Sequence, residues 1–168
     1  DFYYAPPTGF LALCTKSLPS VDVIPSENFN TVIWTGDGNN NRAITGVGFQ
    51  PDFVWAKARS ATNDHRLVNS VVGASAGYLS SNTAGAESTA YGRPLSLGAD
   101  GMTVGFTSNS IDGINASNQT YVAWNWKAGG SASSNSNGSI TSQVSANVDA
   151  GFSIVTYTGT GSNATVGH

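Results

Sequence analysis

Charge is scarce in this chain. Asp, Glu, Lys and Arg make up 10% of its 168 residues, whereas they supply about 25% of a typical soluble domain. The net charge is -3, and the seven Lys and Arg residues are scattered singly along the sequence. Because no basic stripe is available to bind phosphates, nucleic acid is not an expected partner.

Cysteine and long apolar runs are also scarce. Cys14 is the single cysteine, which excludes an internal disulfide and a thiolate zinc site; we expect it to be a buried small side chain. No stretch approaches the roughly 20 apolar residues of a transmembrane helix, and no signal peptide opens the chain, so no membrane partner is predicted. Since the first residue is Asp1 rather than Met, we expect the sequence to be a piece of a longer protein.

Turn and strand residues are abundant. Gly, Ser, Thr and Asn, at 20, 22, 16 and 16 residues, together supply 74 of the 168 positions. No apolar series with helical spacing persists for three turns, whereas several short segments alternate in polarity. The sequence therefore predicts an all-β fold, specifically an antiparallel β-sandwich of jelly-roll or concanavalin-like type, with partial modules at both ends.

Two segments carry the clearest strand pattern. In residues 50–60 the small side chains of Val54, Ala56 and Ala58 share one face, which suggests that another layer covers this face closely. The other segment is TYVAWNWKA, residues 120–128. There Val122, Trp124 and Trp126 share one face of the strand, and we expect the two tryptophans to anchor the core.

The segment that begins at Phe152 repeats the segment that begins at Phe29. Six of twelve positions are identical without a gap: Phe29 and Phe152, Val32 and Val155, Thr35 and Thr158, Gly36 and Gly159, Gly38 and Gly161, and Asn40 and Asn163. Trp34 matches Tyr157, and after a two-residue deletion Gly46 matches Gly167. Because glycine adopts positive φ at low cost, we expect the two segments to form the same strand and turn.

The repeat suggests how the chain is divided. Residues 1–18 are interpreted as the end of a preceding β-sandwich module, residues 19–28 as a linker, and residues 29–128 as a complete β-sandwich module. Residues 129–150 form a spacer rich in Ser, Gly and Asn that ends in a strand, and residues 151–168 begin a second copy of the module. Since a lone first hairpin cannot bury its own face, we expect it to pair with its neighbours, a subunit alongside or further chain.

Four segments carry a resemblance to a known family: NFNTVIWTGDG, ITGVGFQPDFVWAKARS, YVAWNWKAGG and DAGFSIVTYTGTGSNATVGH. Over residues 28–168 the chain resembles an uncharacterised domain family that occurs, often in tandem, in virion and tail-fibre-like proteins of marine bacteriophages, cyanophages among them. The opening DFYYAPPTGFLALCTKSLP resembles the C-terminal end of the SPRY-type, concanavalin-like module that often precedes this domain. The resemblance transfers no catalytic residue.

What the resemblance implies is a piece of a multi-module virion protein that functions outside the cell, on the particle. It implies assembly into a homo-oligomer, a trimer if the protein is a fibre, in contact with other virion proteins. A role in host attachment, with a host surface glycan as partner, is compatible with this position.

Two patterns could carry catalysis, and neither favours an enzyme. Residues 73–77 match the G-x-S-x-G nucleophile elbow, which requires a strand-to-helix turn with a paired His and acid; the high Gly and Ser content explains the match. Three polar groups also lie together at Asp64, His65 and Arg66. Such a triplet is more often part of a solvated loop, or a set of local hydrogen bonds, than a catalytic site. Because glycoside hydrolysis requires two carboxylates and the spacing indicates no such pair, no enzymatic activity is predicted.

A metal site is an open alternative at one loop. Residues 37–41, DGNNN, are rich in the oxygen ligands that Ca²⁺ prefers, yet the glutamate of an EF-hand loop would fall on Gly48. A glycine turn explains the loop without a metal, so no metal and no cofactor is predicted. Ca²⁺ at this loop, or around Asp100 and Asp112, remains possible on the sequence alone.

Five residues are candidates for a glycan or subunit contact: Trp34, Trp55, Asp64, His65 and Arg66. Indole rings stack on sugars and the polar groups can bind hydroxyls, although aromatic residues on strands are more often core or interface. We therefore predict a non-enzymatic structural protein of a bacteriophage particle, a tail fibre or surface appendage, that assembles through β-sandwich modules. The alternative is a receptor- or carbohydrate-binding, lectin-like module that contacts host surface glycans.

Overall fold

The computed structural model describes residues 7–8, 22–89, 92, 94–105 and 113–168. Within these residues the chain forms one short 3-10 helix, Pro25–Glu27, and ten strands: β1 Phe29–Thr35, β2 Arg42–Thr45, β3 Phe53–Ala58, β4 Arg66–Asn69, β5 Pro94–Gly98, β6 Gly101–Val104, β7 Thr120–Trp126, β8 Ser133–Asn135, β9 Ser142–Asn147 and β10 Phe152–Thr156. Every pairing between these strands is antiparallel, which confirms the predicted all-β antiparallel fold. In this part of the chain, no helix is long and apolar enough to cross a membrane.

The strands form three sheets. The main sheet has the order β1-β7-β3-β4, the cover sheet β2-β6-β5 and the C-terminal sheet β10-β9-β8. Strand β4, at one edge of the main sheet, is protected because Leu67 and Leu79 exchange two backbone hydrogen bonds of 2.9 and 3.0 Å. Strand β1 forms the other edge.

The core lies between the main sheet and the cover sheet. On β3 the side chains of Val54, Ala56 and Ala58 are buried, which confirms that another layer covers this small-residue face. The remaining buried apolar residues of the cluster come from both sheets and their connections, and include Val32, Trp34, Ile44, Val47, Phe49, Val68, Met102, Val104, Ile114, Tyr121 and Ala123. Two antiparallel sheets packed in this way are consistent with a β-sandwich; the jelly-roll connectivity stays a prediction.

Strand β7 turns the opposite face to the core from the one predicted. Tyr121 and Ala123 are 0% exposed, whereas Trp124 and Trp126 are partly exposed on the other face of the sheet. The prediction that these tryptophans anchor the core is therefore wrong. The physical reason is local: on the covered face Ala123 lies opposite Ala56, and the closely packed cover over these small side chains leaves no space for the rings of Trp124 and Trp126 at those positions.

The repeat has a structural counterpart. Phe29 begins β1 and Phe152 begins β10, as the alignment predicts. Gly38 and Gly161, at matched positions of the following turns, have φ values of 76° and 74°. Because L-residues with a side chain rarely adopt this conformation, the two glycines are required for the same physical reason.

Several predictions fall on parts of the chain that lie outside the described residues. They include the preceding module of residues 1–18, apart from Pro7 and Thr8, together with Cys14 and Asp112. In the segment of residues 129–150, which was predicted to be a spacer with one strand, the structure contains both β8 and β9.

Candidate functional site

The face of the main sheet that points away from the core is rich in aromatic side chains. Alternation along the four strands defines this outer face. It consists of Phe29, Thr31, Ile33 and Thr35 on β1, Thr120, Val122, Trp124 and Trp126 on β7, Phe53, Trp55 and Lys57 on β3, and Leu67 and Asn69 on β4.

The register of the strands arranges these aromatic side chains in two rows. Trp126 pairs with Phe29 on one side and with Phe53 on the other, and the ring centroids are 4.9 and 5.4 Å apart. In the next row Trp124 pairs with Trp55, with centroids 5.5 Å apart. All three pairs are tilted by 54° to 57°, a favourable geometry that contributes about 0.5–1.5 kcal/mol per pair.

Strand β10 of the C-terminal sheet packs on one end of the outer face. Phe152 stacks on Trp126 at 6.0 Å and lies 6.2 Å from Phe53. Two residues further along the strand, Ile154 is 7% exposed. Trp126 therefore contacts both Phe29 and Phe152, which occupy matched positions of the repeat.

A groove of about 460 Å³ lies between β10 and the part of the outer face that β3 and β4 form. Its apolar wall includes Phe53, Leu67, Leu79, Phe152 and Ile154, and its polar groups include Asn69 and Glu87. This volume lies within the range of about 300–1,000 Å³ that is usual for small-molecule pockets. Beyond the groove, Ile33 is 66% exposed and Phe29 is 41% exposed, so part of the outer face remains accessible to a partner.

Trp34, one of the five candidates, lies on the opposite side of the main sheet, in the core. Its ring stacks on Tyr121 at 5.3 Å. Its indole N–H donates a hydrogen bond of 3.1 Å to the carbonyl of Ile114. This side chain is buried, so it serves the packing of the sandwich and not the exposed surface.

Trp55 and His65 come together at the outer face. The indole N–H of Trp55 donates to Nδ1 of His65 at 3.2 Å, and Ser81 Oγ lies 2.7 Å from the same nitrogen. Burial lowers the pKa of His65, with further lowering by the charge of Lys57. Since Nδ1 accepts the indole hydrogen bond, the neutral ring is the form that this arrangement favours.

Asp64 and Arg66 are engaged elsewhere. A carboxylate oxygen of Asp64 accepts a 2.8 Å hydrogen bond from the Asn82 amide. Arg66 is 2% exposed; its Nε donates to the carbonyl of Gly92 at 3.1 Å, and its guanidinium lies 4.3 Å from the centre of the Tyr78 ring. Arg66 also donates to the backbone carbonyls of Asp64 and His65, and Asn82 accepts from the backbone N–H of His65. The three residues are therefore linked through backbone and amide groups, but the buried Arg66 side chain does not join the Trp55–His65 pair at the outer face.

The loop of residues 37–41 is held by a buried amide. The Asn115 side chain is 0% exposed, and its Nδ2 donates to Asp37 Oδ1 at 2.7 Å and to the Asn39 carbonyl at 2.8 Å. The backbone N–H of Asn39 also donates to Asp37 Oδ1, which lowers the pKa of Asp37. These bonds use oxygen atoms that Ca²⁺ would require. Sequence reasoning did not predict this role of Asn115, since 78 positions separate it from Asp37.

The carboxylate of Asp100 holds the loop of residues 46–48, which follows β2. Its two carboxylate oxygens accept hydrogen bonds from the backbone N–H groups of Gly48 and Gly46, at 2.6 and 3.1 Å. These bonds lower the pKa of Asp100. Among the described residues, no group of three or more His, Cys, Asp and Glu side chains is placed to hold a metal ion.

The G-x-S-x-G match at residues 73–77 lies in turns that follow β4 and lead to the bridge at Tyr78. A nucleophile elbow requires a helix directly after the serine. In the part of the chain that the structure describes, no helix follows these residues. The local geometry is therefore that of an ordinary connection.

Comparison with known proteins places the outer face and the C-terminal sheet in one family domain. No curated protein and no solved structure matches this chain. A family model matches residues 24–168, a span that includes the main, cover and C-terminal sheets. The chain therefore belongs to the family described as Domain of unknown function (DUF7483).

Proposed function

We propose that this protein is a non-enzymatic structural component of a bacteriophage particle, part of a tail fibre or surface appendage, that assembles into homo-oligomers through its β-sheet surfaces. The observation that carries the proposal is the outer face, where aromatic and aliphatic side chains remain partly exposed beside Ile33, which is 66% exposed. A contiguous apolar surface of this kind is typical of protein–protein interfaces. The segments that resemble phage virion proteins support the same function.

The proposal also includes the arrangement of modules, the oligomeric state and the location on the particle. In this proposal residues 1–18 end a SPRY-type module. Residues 151–168 lie within the family domain and repeat its first strand and turn, which supports a tandem arrangement of such modules. A fibre built from them is trimeric and contacts other virion proteins. Immunogold labelling of purified particles, with antibodies raised against residues 24–168, tests this location; labelling confined to infected-cell debris would contradict it.

Assembly through apolar surfaces has a measurable signature. The outer face carries one formal charge, on Lys57, so screening by salt changes little in the contact. We expect the assembled size in light scattering to stay constant between about 50 mM and about 1 M NaCl. Dissociation at high salt would show that ion pairs hold the assembly and would count against this function.

A second candidate function is binding of host surface glycans. The groove beside β10 favours it, because its aromatic wall of Phe53 and Phe152 lies next to the amide of Asn69 and the carboxylate of Glu87. Aromatic faces and polar groups of this kind bind the two sides of a sugar ring. A glycan array probed with the intact assembly separates the two functions, since a purely structural protein gives no signal and Glu87→Gln should abolish a specific one.

A further inference from the structure

The contact between β10 and the outer face has an internal symmetry. Phe152 contacts Phe53 and Trp126, and it matches Phe29, which itself belongs to the outer face. Ile154, on the same side of β10 as Phe152, is nearly buried. The side of β10 that meets the outer face is therefore the side that corresponds to an outer face in the repeat.

The other side of β10 corresponds to a core. Val155 and Tyr157 match Val32 and Trp34, whose side chains are buried between the main and cover sheets. In the C-terminal sheet Val155 is partly exposed and Tyr157 is 58% exposed. The core-forming side of β10 thus points away from the main sheet, as it would in a second module packed outer face against outer face.

From this arrangement we propose that the outer face is a docking surface for the outer face of a second copy of this module. The two main sheets pack against each other over the part of the outer face that β10 leaves open, and the contact of β10 with Phe53 and Trp126 shows how an outer-face strand packs on this surface. The contact buries three side chains of the outer face that lie outside the groove: Ile33, Trp55 and Trp124. The proposal rests on the proposed assembly function and names the surface that performs it.

The size of the surface sets the strength of the contact. Four strands spaced about 4.8 Å apart, with six residues of about 3.3 Å each, give a face of about 19 by 20 Å. Because β10 already covers one end of each face, two such faces bury at most about 800 Å², less than the roughly 1,200–2,000 Å² of a stable specific interface. A single pair of modules should therefore associate weakly, and modules linked in tandem should associate more strongly because of their effective concentration.

Sedimentation velocity of the full 168-residue chain, from about 10 µM to about 1 mM, tests the proposal. Wild type is expected to self-associate as its concentration rises. Ile33→Asp places a carboxylate on the exposed part of the outer face and should weaken association at least tenfold. Val148→Asp is the matched control, because Val148 is 85% exposed in the turn between β9 and β10 and should associate like wild type.

A second variant separates face packing from pairing along the edge strand β1. Trp124 lies on β7, inside the sheet, where it cannot contribute to edge pairing. Trp124→Thr, a residue that suits a strand, should therefore weaken association as Ile33→Asp does. Circular dichroism and urea unfolding of each variant establish that it is folded before association is compared.

The outcomes are distinct. Association of Ile33→Asp or Trp124→Thr at wild-type strength would overturn the assignment of the outer face, while the proposed assembly function would stand. Equal weakening by Val148→Asp would reveal a general charge effect and would also overturn it. A wild-type chain that stays monomeric at the highest concentration would overturn the docking surface, whereas the proposed function is tested separately by the labelling of purified particles.

Discussion

Phe152 stacks on Trp126 with an interplanar angle of 18° and ring centroids 6.0 Å apart. Trp126 is the last residue of β7, one of the two inner strands of the main sheet, and Phe29 of the edge strand β1 packs on it at 4.9 Å. One indole therefore receives the first aromatic residue of each copy of the repeat. This shared contact joins the C-terminal sheet to the main sheet.

Removal of this ring should loosen the C-terminal sheet. We expect Phe152→Ala to lower the free energy of unfolding by about 1–3 kcal/mol, less than the roughly 3–5 kcal/mol of a fully buried Phe, because Phe152 is partly exposed. Urea unfolding measures the loss, and hydrogen exchange should show faster exchange in β9 and β10. Tyr157→Ala is the matched control, since Tyr157 is 58% exposed; equal destabilisation by the two variants would contradict the role of Phe152.

The stability of the fold should also depend on the hydroxyl of Tyr121. It donates to the carbonyl of Gly113 and accepts from the backbone N–H of Ala116, both at 3.0 Å and both buried. Tyr121→Phe leaves these backbone groups without this partner, so we expect a loss of about 1–3 kcal/mol with an unchanged denaturant m-value. Tyr157→Phe should have no effect. A neutral Tyr121→Phe would mean that water replaces the hydroxyl.

The repeat offers a matched pair of glycines. A Cβ atom at Gly36 would lie 2.0 Å from the carbonyl oxygen of Ala116, whereas a Cβ atom at the matched Gly159 meets nothing within 4 Å. Because backbone must move to relieve the first clash, Gly36→Ala should cost about 1–3 kcal/mol or more. Gly159→Ala should be close to neutral. Thermal unfolding of both variants checks the difference, and similar melting temperatures would contradict it.

The fold class followed from local signals, but the choice of buried face did not. Small residues on β3, Val54, Ala56 and Ala58, correctly indicated a closely covered face. On β7 the size of Trp124 and Trp126 indicated the wrong face. Both faces of this strand are apolar, and the deciding factor is the register that places Ala123 opposite Ala56, which depends on pairing between segments about 65 positions apart and has no local signature.

The candidate site, like the fold, was predictable from the sequence only in part. Trp55 and His65 lie close together in sequence, and their contact follows from the turn between β3 and β4. Phe29 and Phe152 were matched by the repeat, yet their meeting on Trp126 was not foreseen, because a repeat indicates shape and not how two copies dock. The role of Asn115 was not predicted because a buried amide that holds a distant loop differs in no local way from an exposed one.

The partial burial of His65 beside Trp55 makes stability depend on pH. Burial lowers the pKa of His65 below its ordinary value of about 6.5; the charges of Lys57 and Arg66 act in the same direction and Asp64 in the opposite one. The unfolded chain therefore binds a proton more readily than the folded one. The contribution to stability is present above about pH 6.5 and is lost as the pH falls from there through the folded-state pKa.

Urea unfolding between pH 8 and pH 5 measures this loss, and an NMR titration of the His65 ring locates its pKa directly. His65→Gln cannot titrate but retains an amide oxygen that can accept from Trp55, so its stability should be flat across this window. Hydrogen bonds lower the pKa values of Asp37 and Asp100 from an ordinary value of 3.8, so their effects appear only below about pH 4 and do not overlap. An identical pH slope in wild type and His65→Gln would assign the dependence to other groups.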